Sequence, residues 1–85
     1  MGRVTPKGMV PVIVMHFKDT DHHKEPHFHM ATADERVSVA IRDFRILAGG
    51  MRAKDLRKGL AWAEENVSLI KEKWDAFNPH QPFKE

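Results

Sequence analysis

Five of the six histidines lie in one short stretch, HFKDTDHHKEPHFH, which runs from His16 to His29. Two aspartates and a glutamate are interleaved with them. Neutral imidazole and carboxylate groups are ligands for zinc, nickel, copper and iron, and histidine–carboxylate pairs also exchange protons in general acid–base catalysis. The residue types therefore indicate a metal site or an acid–base site. The alternative is that the stretch is a polar loop between two strands that happens to be rich in histidine.

The segments around the histidines have the patterns of β-strands. A run rich in β-branched residues at 10–17 predicts a strand buried on both faces. Residues 27–33 and 37–44 alternate in character, which predicts two half-buried strands joined as a hairpin. Residues 45–47 are a candidate fourth strand, which Gly49-Gly50 would end.

The C-terminal part of the chain has the pattern of a helix. Its apolar residues recur at steps of four and three, which keeps one stripe facing the core. They are Leu56, Leu60, Ala63, Val67, Ile70, Trp74 and Phe77. Asn78-Pro79 ends the helix because proline cannot donate a backbone hydrogen bond. Asn66 either kinks the helix or caps a second one, and both alternatives stay open.

Together these elements predict an α+β domain in the order β-β-β-α. A three- to four-stranded antiparallel sheet packs on one long or kinked C-terminal helix. Residues 10–78 form the domain, residues 1–9 a flexible lead-in and residues 79–85 a C-terminal tail.

Strand parity selects which histidines are candidates for a site. The helix should cover the sheet face that carries Phe28, so His27 and His29 point to the opposite, exposed face. His16 joins them if the first strand turns Val12 and Val14 the same way, and the loop adds His23 and Asp21. A catalytic zinc site needs three protein ligands, so these five residues form a candidate site for zinc or nickel, for metal binding or for metal-dependent hydrolysis. The alternative is that the loop histidines are solvated while His27 and His29 make hydrogen bonds across the sheet.

A second candidate site lies at the start of the helix, where four cations crowd together: Arg52, Lys54, Arg57 and Lys58. The helix dipole disfavours cations at this end, and Lys54 and Lys58 are a like-charge pair one turn apart. Such a cluster suits an anion, either a nucleic-acid phosphate or an acidic protein surface. The alternative is a solvated helix face that Asp55 partly neutralises.

The exposed sheet face and one helix flank both indicate association. The face is small and partly apolar, and a second subunit is a plausible cover for it. Trp62 and Leu69 lie seven residues apart beside the main helix stripe. We therefore expect a homodimer with these two residues in contact. The alternative is that Trp62 laps over the sheet edge of its own subunit.

Composition excludes several classes of protein. With no cysteine among 85 residues, disulfides and thiolate metal sites are excluded, which favours the cytoplasm. No apolar run approaches the roughly 20 residues of a membrane span. The net charge of +2 is too small to indicate nucleic-acid binding by itself. The chain is short and poor in nucleophiles, so the balance leans against an enzyme.

Two motifs resemble a known family. Residues 23–29, HKEPHFH, and the helix stretch with Trp62-Ala63-Glu64 and a second tryptophan at Trp74 are similar to the small prokaryotic family called domain of unknown function 4160. Glu25 replaces the first proline of its Pro-Pro-His-Phe-His segment, and His22 replaces an aspartate. The resemblance covers roughly residues 10–78, and it implies a regulatory or toxin–antitoxin module with no established activity. We therefore expect a binding module that contacts its partner through the His-rich sheet face and the basic helix start.

Overall fold

The computed structural model describes residues 2–6, 8–15 and 25–79, with residues 2 and 3 described by their backbone alone. Its elements are β1 Gly2–Arg3, β2 Val12–Met15, β3 His27–Ala31, β4 Arg36–Ala40, β5 Ile46–Gly50, α1 Ala53–Glu65 and α2 Val67–Phe77. None of the helices in these ranges is long and apolar enough to cross a membrane.

The five strands form one antiparallel sheet in the order β1-β2-β3-β4-β5. The sheet and the helices that follow it confirm the predicted α+β class. The predicted hairpin is β3–β4, in which His29 lies opposite Ser38. Its turn is closed by Thr32, whose backbone N–H donates to the Glu35 carbonyl at 2.9 Å and whose hydroxyl accepts from the Glu35 N–H at 3.1 Å.

Part of the predicted lead-in belongs to the sheet. β1 is only two residues long, and it pairs with the end of β2. The Val4 N–H donates to the Ile13 carbonyl at 2.8 Å, and the Thr5 hydroxyl accepts from the Ile13 N–H at 3.2 Å. Val4 joins the core cluster.

The fourth predicted strand exists but runs through the two glycines that were expected to end it. β5 includes Gly49 and Gly50. Gly49 has a φ of +75°, and a Cβ there would lie 2.4 Å from the Arg36 carbonyl oxygen. Only glycine combines that φ with so close an approach of two backbones. The glycine therefore keeps the strand paired with β4 instead of ending it.

Asn66 divides the predicted helix into two. Its backbone N–H donates to the carbonyls of Trp62 and Ala63, and its side-chain Nδ2 donates to the Trp62 carbonyl at 2.9 Å. The Ile70 N–H in turn donates to the Asn66 carbonyl at 3.1 Å, so the same residue ends α1 and begins α2. Asparagine side chains compete with the backbone in this way. Of the two alternatives that the sequence leaves open, the second helix is the one observed.

The structure settles the parity of β2, which the sequence left as a condition. Ile13 and Met15 are fully buried, whereas Val12 and Val14 are half-buried, so β2 is not buried on both faces as its composition suggested. The core joins the inward side chains of three strands to both helices; it comprises Val4, Ile13, Met15, Phe28, Met30, Val37, Val39, Ile41, Ala63, Ile70 and Trp74.

Close helix–sheet packing depends on Gly59. A Cβ at this position would lie 2.5 Å from the Met30 Sδ and 2.9 Å from the Pro11 Cγ. The buried residues of α1 are therefore Gly59 and Ala63, while Leu56 and Leu60 flank the contact and are half-buried. The two leucines of the predicted stripe therefore lie at the margin of the interface, because small residues occupy its centre in α1.

Candidate functional site

His27 and His29 lie side by side on β3. Their ring centroids are 5.1 Å apart and their ring planes meet at 75°. Residues two apart on a strand share a face, as the parity argument requires. His27, however, is only 1% exposed, and its ring lies 5.4 Å from the ring of Trp74 in α2. The prediction that His27 is exposed is therefore wrong, because α2 reaches the start of β3; His29 is half-buried.

Both imidazoles are oriented by hydrogen bonds. The Nδ1 of His27 lies 2.8 Å from the Glu25 carbonyl oxygen. A carbonyl can only accept, so Nδ1 carries the proton, and in the neutral ring Nε2 carries the lone pair. The Nδ1 of His29 lies 3.1 Å from the hydroxyl of Ser38, which is its cross-strand neighbour. The expected cross-sheet hydrogen bond is thus present for His29.

The predicted metal ligands fall into two groups. His27 and His29 are neighbours, whereas His16, Asp21 and His23 lie outside the described residues. Within residues 2–6, 8–15 and 25–79, no three histidine or carboxylate side chains come together as a metal-binding group. The described structure therefore brings together two of the five candidates.

An ion-pair network involves Glu25, which lies in the histidine stretch just before β3. A guanidinium nitrogen of Arg45 donates to the Glu25 carboxylate, and the other donates to Asp43 at 3.0 Å. The Asp43 carboxylate also accepts from the Arg45 backbone N–H at 3.1 Å. Glu25 therefore ties the start of β3 to the β4–β5 turn.

The predicted cationic group at the helix start is divided by local carboxylates. The backbone N–H of Arg52 donates to the Glu35 carboxylate at 3.1 Å. The guanidinium Nε of Arg52 lies 3.9 Å from the Glu35 carboxylate and 3.7 Å from the Asp55 carboxylate. Lys54, Arg57 and Lys58 are exposed, and within the described part of the chain none of them forms an ion pair. We call these three residues the basic cluster; Arg52 is not part of it.

The sheet face that carries the histidine pair is partly open. We call this surface the far face; its members are Val12, Val14, His29, Ala31 and Ser38. The first four are half-buried and Ser38 is 8% exposed. The predicted dimer contacts, Trp62 and Leu69, are also half-buried, and both pack against the core of their own chain.

A cleft of about 380 Å³ lies where the β4–β5 turn faces the junction of α1 and α2. We call it the elbow cleft. Ile41, Phe44 and Val67 are its apolar lining, and four charged residues complete it: Arg42, Asp43, Glu64 and Lys71. Sequence reasoning missed this cleft because its lining comes from two segments, 41–44 and 64–71, that are distant along the chain. The sequence also assigned Phe44 to the end of a strand, whereas the structure gives it a φ of 60° in the β4–β5 turn.

Comparison with known proteins identifies a family. The family model described as Domain of unknown function (DUF4160) matches residues 12–75, and it confirms the resemblance drawn from the motifs. No curated protein and no solved structure matches the chain.

Proposed function

We propose that this chain, which belongs to the DUF4160 family, is a binding and regulatory module that docks on an acidic surface of a protein partner through the basic cluster. One observation carries the proposal: Lys54, Arg57 and Lys58 are exposed and form no ion pair within the described residues. Binding to a protein partner, rather than catalysis, fits the regulatory or toxin–antitoxin setting that the family resemblance implies.

The basic cluster has two features that suit a docking surface: its like charges repel one another, and the helix that carries them is packed against the sheet. Lys54 lies three and four residues before Arg57 and Lys58, so the three side chains share one face of α1. Like charges at this spacing destabilise a helix, and an acidic partner would reverse the cost. Gly59, the next residue, is buried against the sheet, so the partner would meet a preformed surface.

An acidic protein surface fits better than a nucleic-acid backbone. Nucleic-acid binding normally uses an extended basic stripe, because affinity depends on neutralising many phosphates. Here the cluster has three cations, and the carboxylates of Glu35 and Asp55 lie beside it on Arg52. Those carboxylates would repel a continuous phosphate chain, whereas a compact acidic patch on a protein can avoid them.

Charge reversal tests the proposal. The probe is immobilised poly-L-glutamate, with double-stranded DNA in parallel. We expect the unmodified protein to be retained on polyglutamate at low salt, and Arg57→Glu/Lys58→Glu to weaken retention by about tenfold. Arg36→Glu/Lys73→Glu is the matched control, because neither residue belongs to the basic cluster or to the elbow cleft and the net charge changes equally.

Two results would contradict the assignment. Equal losses in the two double variants would show that net charge alone drives binding. Stronger retention on DNA than on polyglutamate at the same salt would favour a nucleic-acid partner.

Homodimerisation through the far face is a companion proposal. Val12, Val14 and Ala31 place half-buried apolar surface around His29, and a second copy could cover it. Sedimentation at roughly tens of micromolar, a range suited to weak assembly, should show a dimer that Val14→Lys dissociates. Dissociation by Trp62→Ala with no effect of Val14→Lys would move the interface to the helix flank.

Metal binding by the histidine stretch is the second candidate function. The hydrogen bond from the His27 Nδ1 to a backbone carbonyl favours it, because ligating histidines are commonly oriented this way with Nε2 as the ligand atom. We propose that His16, His23 and Asp21 would supply the further ligands, with zinc or nickel as the ion. Ligands of this kind suit either metal.

Metal analysis of protein purified without a polyhistidine tag tests this second candidate. A stoichiometric transition metal, lost in His29→Ala but kept in the His80→Ala control, would support it. His29 is the better target because it is half-buried, so its replacement disturbs the core less than that of His27. Metal-free protein whose melting temperature is unaffected by zinc, nickel or chelator would contradict it.

A further inference from the structure

The elbow cleft has an apolar floor that packs against the core. Ile41 is 2% exposed, and Phe44 and Val67 are half-buried beside it. The Phe44 ring packs edge-on against the Phe28 ring, with centroids 5.9 Å apart and planes at 89°. This contact anchors the floor to the core.

The turn that forms one wall is also well braced. The Phe44 N–H donates to the Ala40 carbonyl at 2.9 Å, and the Ala40 N–H donates to the Arg45 carbonyl at 2.9 Å. Phe44 adopts a φ of 60°, a conformation that a bulky residue rarely takes. Glycine or asparagine would fit this backbone more readily, but neither would supply an aromatic ring to the floor. The positive φ thus places an aromatic face at a small-molecule-sized cleft, and observed strain of this kind is often found at functional sites.

The walls of the cleft carry opposite charges that are not paired with each other. Asp43 is engaged by Arg45. Arg42, on the turn, and Glu64, on α1, are both exposed and line the same cleft. Neither appears in an ion pair within the described residues, so their charged groups are more than 4.0 Å apart. The turn side of the cleft therefore carries Arg42 and the Arg45-paired Asp43, the helix side carries Glu64 and Lys71, and apolar surface lies between the two sides.

We propose that the elbow cleft binds a free α-amino acid with a branched-chain or aromatic side chain. The ligand carboxylate pairs with Arg42, its ammonium group pairs with Glu64, and its side chain packs on Phe44, Ile41 and Val67. A volume of about 380 Å³ falls in the range of small-molecule sites, which are largely apolar with a few placed polar groups. The site lies at the opposite end of α1 from the basic cluster, so it is independent of the partner-binding proposal.

Amide chemical-shift titration with L-leucine and L-phenylalanine tests the proposal. We expect saturable shifts at Phe44 and Val67 at millimolar concentrations or below. Three analogues separate the contributions: 4-methylpentanoate lacks the ammonium group, 3-methylbutylamine lacks the carboxylate, and glycine lacks the side chain. Each is expected to bind at least about tenfold more weakly than leucine, because each leaves one part of the cleft unpaired.

Two pairs of variants locate the binding. Arg42→Ala and Glu64→Gln should each weaken leucine binding by about tenfold. Their controls, Arg36→Ala and Glu65→Gln, change exposed residues of the same type outside the cleft and should leave binding unchanged. All four positions are exposed, so folding should be preserved.

Three results would overturn the proposal. One is the absence of saturable shifts with either amino acid up to roughly tens of millimolar, far above the affinity expected of a specific small-molecule site. Another is unchanged leucine binding in both cleft variants. The third is equal binding of N-acetyl-leucine amide, which has neither charge and would indicate that the cleft accepts an apolar side chain of a protein partner instead.

Discussion

Replacing Gly49 by alanine tests whether the edge strand depends on a close backbone approach. The added Cβ meets two costs: a φ of +75° and a contact 2.4 Å from the Arg36 carbonyl oxygen. The left-handed conformation costs about 1–2 kcal/mol for a residue with a Cβ, and overpacking adds about 1–3 kcal/mol. Alanine also restricts the unfolded chain more than glycine does, which stabilises the folded state by about 0.4–1 kcal/mol. We therefore expect a net destabilisation of about 2–4 kcal/mol.

Two other glycines separate these costs. Gly8 has a φ of +89° but nothing within 4 Å of its added Cβ, so Gly8→Ala should cost about 1 kcal/mol or less. Gly50 has neither a positive φ nor a neighbour within 4 Å, so Gly50→Ala should be neutral or slightly stabilising. The order of the three variants is thus set by geometry.

Thermal and urea unfolding followed by circular dichroism measure the three free energies. For a domain of this size, about 2–4 kcal/mol corresponds to a melting temperature lower by roughly 10–20 °C. If Gly49→Ala proved no less stable than Gly8→Ala, the contact with the Arg36 carbonyl would be looser than described. If Gly50→Ala were equally damaging, the reasoning from positive φ would also fail.

Three further stability changes follow from the packing, each measurable by the same unfolding experiments. Gly59→Ala should destabilise the protein by about 1–2 kcal/mol although alanine is the better helix former, because the added methyl group overlaps the buried Met30 side chain. A more stable variant would mean that α1 can move away from the sheet. Trp74→Ala should destabilise the protein by about 3–5 kcal/mol, and Trp62→Ala by less than half as much, because the Trp74 ring is fully buried and the Trp62 ring is half-buried. Equal losses of stability would contradict the assignment of Trp74, and not Trp62, to the core. Ser38→Ala should cost about 1 kcal/mol by removing a hydrogen bond to a histidine ring, whereas the exposed Ser68→Ala should cost almost nothing.

The sheet faces could be predicted because alternation is a local property of the chain. The alternation in the two hairpin strands places Phe28, Met30 and Val39 inward, and the structure buries all three. The position of the helix interruption at Asn66 was also visible in sequence, because the amide competes with the backbone only four residues away, but the choice between a kink and a second helix was not.

The candidate sites were predictable only in part. The cations at 54, 57 and 58 were recognisable from spacing, but the removal of Arg52 from the group depends on Glu35, which lies in the β3–β4 turn. In the same way, the burial of His27 depends on Trp74, from the far end of the chain. No local pattern reports such pairings.

By itself, the sequence determined the class of fold, the inward faces of the two hairpin strands, the position of the helix interruption and the family, because these depend on periodicity and on residues near each other along the chain. The tertiary structure decided that Gly59 rather than a leucine lies at the helix–sheet contact, that β5 continues through Gly49, and that a cleft opens at the helix junction. Each of these depends on how closely distant segments approach. That distance is set by the packing of the whole core.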